Sequence, residues 1–142
     1  MPSFTSKLAS LALLGNNVNA ATGARLTVEG NKFMYNGESV FLSGMNQAWV
    51  DYGDDFGNGK TNAQYCALKA QLQKIKDAGG HAVRIWLHVE GDKTPEFDGH
   101  GNVIGTDASG SLIAEMKKYV QTAQDMDILV IFCLWNGALM RN

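Results

Sequence analysis

His81-Ala82-Val83-Arg84-Ile85-Trp86-Leu87-His88-Val89-Glu90-Gly91 splits with a period of two. Val83, Ile85, Leu87 and Val89 share one face and are all aliphatic. Arg84, Trp86 and His88 share the other, and each of these binds polar or flat groups. A surface strand would place small polar residues opposite its apolar ones. Here the opposite face carries large, chemically capable side chains. Arg84 cannot lose its charge, so mid-strand it must meet an anion or several acceptors. The pattern predicts a strand packed on helices by its aliphatic side and turned into a crevice by its other side. The plainer alternative is an Arg84 paired with a structural carboxylate and a Trp86 that fills the core.

Outward from this strand the chain alternates. Thr61 to Gln64 has the form of a helix capping box, a hydroxyl three residues before a glutamine. Tyr65, Leu68, Leu72 and Ile75 follow at helical spacing, and Gly79-Gly80 stops the helix. Leu112, Met116, Tyr119 and Ala123 mark a second helix. Residues 128–135 form a continuous apolar run, expected of a parallel strand buried on both faces. Upstream, Val40 to Asn46 is predicted as the first buried strand. Before it, 25–29 and 32–35 form a β-hairpin, with Asn36-Gly37 as a tight-turn dipeptide. The order is hairpin, β, α, β, α, β. Two crossover units with long loops after each strand predict an α/β parallel sheet that works at its strands' C-terminal ends.

The 142 residues carry a net charge of −2 with no basic block, which gives no footprint for nucleic acid. No apolar run reaches the ~20 residues of a spanning helix, so no membrane partner is expected. Residues 1–20 have the layout of a secretory signal: Lys7, a short apolar block from Leu8 to Leu14, and small residues at Val18-Asn19-Ala20. A secreted, extracellular protein is expected. Cys66 and Cys133 lie in a predicted helix and a predicted strand, so two thiols are expected rather than a disulfide.

Gly53 to Thr61 invites comparison with a phosphate loop. Five residues separate Gly53 from Gly59 where four are required, and Asp54 and Asp55 would repel a phosphate. A glycine-rich surface loop is expected instead. His88, Glu90 and His81 lack metal-site spacing, so neither a metal nor another cofactor is expected. Three tryptophans stand at or just past strand ends: Trp49, Trp86 and Trp135. On one rim they would suit the apolar faces of sugar rings, with Asn46, His88 and Asn136 bonding hydroxyls. At least one indole is expected to fill the core.

The runs Phe41 to Trp49, Ala82 to Gly91 and Val130 to Asn136 resemble glycoside hydrolase family 5, in particular its invertebrate, mollusc-like endo-β-1,4-mannanases. The resemblance implies a (β/α)8 TIM barrel that hydrolyses internal β-1,4 bonds of mannan, glucomannan or galactomannan with retention, as a monomer without a cofactor. Residues 25–142 would supply an incomplete catalytic domain of about three βα steps plus the hairpin. By the same resemblance, Arg84 corresponds to the second-strand arginine that holds the nucleophilic glutamate. Trp49, Trp86, His88 and Trp135 correspond to positions lining the sugar cleft. A whole barrel of this kind needs ~250 residues. The family's acid/base and nucleophilic glutamates have no counterpart here; Glu90, Asp92, Glu96 and Asp98 match neither position. The expectation is an N-terminal fragment, inactive alone and poorly soluble because of its open strand edge. Another family 5 β-glycanase such as a cellulase, or a non-catalytic sugar-binding fragment, remains the alternative.

Overall fold

The computed structural model describes residues 26–35, 37–60 and 62–135. The expected signal over 1–20, Thr61 of the capping box and Asn136 lie outside the described residues. The described chain falls into two compact units, one up to Ser43 and one from Gly44 onward.

The first unit is an antiparallel meander of β1 (Thr27–Glu29), β2 (Lys32–Tyr35) and β3 (Glu38–Val40). Glu29 pairs with Lys32 around a turn in which Gly30 takes φ +59°. Phe33 pairs with Val40, and Tyr35 with Glu38. This corrects two expectations. The hairpin has a third strand, and Val40 belongs to it rather than to the first parallel strand.

The second unit runs β4 (Gly44–Gln47), α1 (Asn62–Asp77), β5 (Ala82–Trp86), β6 (Glu96–Phe97), β7 (Val103–Gly105), α2 (Leu112–Asp125) and β8 (Leu129–Cys133). β4, β5 and β8 form a parallel sheet in that spatial order, and β6 and β7 form a separate antiparallel ribbon. Each crossover between the parallel strands carries one of the two helices, as parallel pairing requires. α1 ends in a Schellman motif: Gly80 N–H reaches Ile75 O and Gly79 N–H reaches Lys76 O, with Gly79 at φ +75°. Gly44 opens β4 because a Cβ there would lie 1.8 Å from Ala82 O, so only glycine allows the two strands to start side by side.

The core lies between the helices and the aliphatic face of β5. Val83 and Ile85 are fully buried against Leu68, Leu72, Ile75, Tyr119 and Ala123. Leu87 and Val89 extend that buried face past the strand end, as the alternation in sequence predicts. The flanking strands do not meet their expectations of burial. β4 is mostly exposed, and β8 is only half-buried, with Ile131 44% exposed and Leu134, just past its end, 60% exposed. Both are edge strands here, and an apolar run does not state how many neighbours its strand has. The loop expected on the surface between Gly53 and Lys60 is also different: Phe56 is 3% exposed and stacks edge-on against Tyr119 in the core.

Candidate functional site

The parallel register sets Asn46 beside Arg84 and Trp86 beside Cys133. Arg84 Nη1 donates to Asn46 Oδ1 at 2.7 Å, and Nη2 donates to Cys133 Sγ at 3.0 Å. The same Asn46 oxygen accepts from Trp86 Nε1 at 3.4 Å. The Arg84 guanidinium lies 4.8 Å from the Trp86 ring centroid, within cation–π range. Neither hydrogen-bonded partner of Arg84 is a carboxylate, so the guanidinium is held in place without an ion pair among the described residues. Two of its five N–H donors are used this way.

Around this centre the aromatic side chains gather. Trp49 meets Trp86 edge-on at 5.3 Å and Tyr52 at 4.8 Å. Trp135 lies 5.4 Å from the His88 ring. All three indoles therefore stand where the C-terminal ends of β4, β5 and β8 converge. None is fully buried, which corrects the expectation that one would fill the core; Trp135 is 37% exposed. An indole two residues past a strand end has left the packed layer.

His88 is fixed from below. Its Nδ1 lies 2.7 Å from the hydroxyl of fully buried Thr94. Burial lowers the His88 pKa below its ordinary value, against an opposing contribution from Thr94. The ring at neutral pH is therefore an uncharged imidazole that can accept as well as donate hydrogen bonds.

The loop after β4 is tied to the start of α2. Gly57 N–H donates to Glu115 Oε2 at 2.6 Å, Asn58 N–H to Asp107 Oδ2 at 2.7 Å, and Gly59 N–H to Ser111 Oγ at 2.9 Å. The backbone donors that would cradle a phosphate point instead at the protein's own acceptors. Asp55, also buried, takes the Val50 and Asp51 N–H groups. Burial raises its pKa, against those two hydrogen bonds.

Asn46, Trp49, Arg84, Trp86, His88 and Trp135 are thus brought to one rim, while Asn136 lies outside the described residues. Reasoning from sequence missed two supporting residues. Cys133 was read only as a strand thiol; the structure leaves it unpaired with Cys66 and in contact with Arg84. Its position two residues before Trp135 on a parallel strand was the available signal. Thr94 carried no such signal, because it lies in a loop whose path no pattern predicts.

No family model matches the chain. It is 46% identical over 125 residues to the mannan endo-1,4-beta-mannosidase of Mytilus edulis, covering 87% of this chain and 34% of that protein. The crystal structure of endo-1,4-beta-mannanase from Eisenia fetida matches with a TM-score of 0.78 at 44% identity, covering 82% of this chain and 32% of that one. The β-1,4-D-mannanase from Cryptopygus antarcticus matches with a TM-score of 0.79 at 42% identity, covering 84% of this chain and 33% of that one. Over this span the chain is similar in sequence and in fold to invertebrate β-1,4-mannanases. It spans about a third of the length of the mannanases it matches. The identity and the superposition each cover more than four-fifths of the chain.

Proposed function

We propose that this chain supplies the first three βα steps of a family 5 endo-β-1,4-mannanase with a (β/α)8 barrel. In this reading the rim of β4, β5 and β8 is one wall of the cleft that takes a β-1,4-linked mannan. Trp49, Trp86 and Trp135 present flat apolar faces to sugar rings. Asn46, His88 and Asn136 bond their hydroxyls. The residues at 1–20 would direct the protein out of the cell.

The observation that carries the reading is Arg84. Its guanidinium is held by Asn46, Cys133 and the Trp86 ring, and no carboxylate is among its hydrogen-bond partners. An arginine kept half-buried in this way favours an anion brought to it. A carboxylate docked there would be kept ionised and oriented, as a glycosidase nucleophile requires. Retaining hydrolysis needs that nucleophile and a second carboxylic acid ~5 Å away across the scissile bond. Both would come from the two-thirds of the mannanase fold that this chain does not match. The 142-residue chain alone is therefore expected to leave mannan uncut.

A chimera tests the proposal. The matched third of the Mytilus edulis mannanase is replaced by the corresponding 125 residues of this chain. The expected product cleaves mannan internally and releases sugars with the β configuration, as followed by NMR. A folded chimera that leaves mannan intact, or that cuts cellulose in preference, contradicts it.

A further inference from the structure

Thr94, in the loop after β5, is fully buried although it carries a hydroxyl. A Cβ built on Gly57 would lie 3.0 Å from the Thr94 methyl, so the methyl packs against the loop after β4. The hydroxyl lies 2.7 Å from His88 Nδ1 and, among the described residues, has no other hydrogen-bond partner. His88 Nε2 has no partner among the described residues either. The ring is half-buried on the rim, 5.4 Å from the Trp135 ring. One ring nitrogen is thus occupied by the protein, and the other is left for a ligand.

A hydroxyl has a single hydrogen to give, and burying it without an acceptor loses its hydration uncompensated. Among the described residues, the acceptor within reach of Thr94 is Nδ1. A hydrogen on Nδ1 would deny Thr94 that acceptor. Nδ1 therefore carries a lone pair, and the hydrogen of the neutral ring sits on Nε2. We propose that Thr94 is a positioning residue: its hydroxyl donates to His88 Nδ1, fixes the Nε2–H tautomer and so presents an N–H donor to an acceptor oxygen of the bound glycan. Burial lowers the His88 pKa and keeps the ring in the neutral form that this bond requires; the Thr94 backbone favours the charged form and is outweighed. The tautomer follows from this chain alone, while the glycan as its recipient rests on the mannanase reading. A fixed donor widens what His88 can hold. The ring and bridging oxygens of a pyranoside have lone pairs but no hydrogen, so only a donor engages them, and a hydroxyl oxygen accepts from it as well.

Nitrogen NMR of the 142-residue chain, isotope-labelled at histidine, tests this at about pH 8, where His88 is neutral. The His88 signals are identified among the three histidines by their loss in His88→Gln. Nδ1 is expected at the lone-pair limit and Nε2 at the N–H limit, in a single tautomer. Thr94→Val keeps the shape and removes the hydroxyl; it is expected to draw the two signals together as both tautomers become populated. Thr94→Ser retains the hydroxyl and should keep the signals apart. In the mannanase chimera, Thr94→Val is expected to lower kcat/KM by about tenfold, the loss of one ordered hydrogen bond, and Thr94→Ser to recover most of it. A hydrogen on Nδ1, or a mixture of tautomers in the unsubstituted chain, overturns the inference without any variant. So does a folded Thr94→Val variant with unmoved signals or with its parent's kcat/KM. A chimera inactive before substitution, with His88 held as Nε2–H, upholds the tautomer and counts against the mannanase reading.

Discussion

Asn46 Oδ1 lies 2.7 Å from Arg84 Nη1, a hydrogen bond between neighbouring parallel strands that leaves the guanidinium charge uncompensated. A carboxylate at position 46 would compensate it. Asn46→Asp is therefore expected to stabilise the chain by at most about 1 kcal/mol, as a partly exposed ion pair does. In the mannanase chimera it should lower kcat by about tenfold, because the introduced carboxylate competes with the enzyme's own for Arg84. Thermal unfolding and mannan hydrolysis measured on the same variant check both halves.

Asp107 is the principal fastening between the loop after β4 and α2. Its carboxylate takes N–H groups from Asn58, Ser111 and Leu112 and the Ser109 hydroxyl. Burial pushes the carboxyl pKa up, but the bonds from Ser109, Leu112, Asn58 and Thr106 prevail and hold it well below the usual carboxylate range. A depressed folded-state pKa contributes stability above the unfolded value of about 3.9 and loses it as pH falls below that. Asp107→Ala is expected to cost about 3 kcal/mol at neutral pH, because it orphans several donors at once. It should also flatten the loss of stability below about pH 4, measured by urea unfolding across pH.

Asp127 ends α2 at φ +60°, with its own N–H on Gln124 O and the Ile128 N–H on Ala123 O. This is the same Schellman arrangement that closes α1, where glycine occupies the left-handed position. A side chain there is strained, and a negative charge at a helix C-terminus opposes the dipole. Asp127→Gly is expected to stabilise the chain by about 0.5–1 kcal/mol in chemical denaturation.

His88 carries a pH dependence of the same sign as that of Asp107, in a higher pH window. Its pKa is lowered by burial from 6.5. The unfolded chain therefore binds the proton first, and stability falls as pH drops through about 6.5 toward the folded-state value. His88→Gln should remove this part of the slope as pH falls below about 6.5. An unchanged slope in the variant would show that the ring is not held neutral.

The period-two split around Arg84 was legible because each face has one clear chemistry: Val83 and Ile85 are buried, and Arg84 and Trp86 meet Asn46. Both helices were legible from Leu68, Leu72, Leu112 and Tyr119 for the same reason. β3 was not, since Glu38 and Ser39 are polar and the strand is three residues long. The β6–β7 ribbon was hidden in a loop rich in glycine and aspartate. The exposure of Ile131 and Leu134 was illegible for a different reason. Hydropathy records what a strand would bury, whereas its neighbours decide what it does bury. Asp107 gave no sign, because its partners come from a loop 49 residues away and from the adjoining turn.

The central claim is that Arg84 serves an incoming carboxylate, and kcat of the chimera with and without this guanidinium tests it most directly. Arg84→Ala is expected to lower kcat by about a hundredfold or more with little change in KM, as loss of a preorganised charge does. Arg84→Lys should recover only part, because a lysine cannot reproduce the forked contact. A folded Arg84→Ala chimera that cleaves mannan within about twofold of its parent would contradict the account.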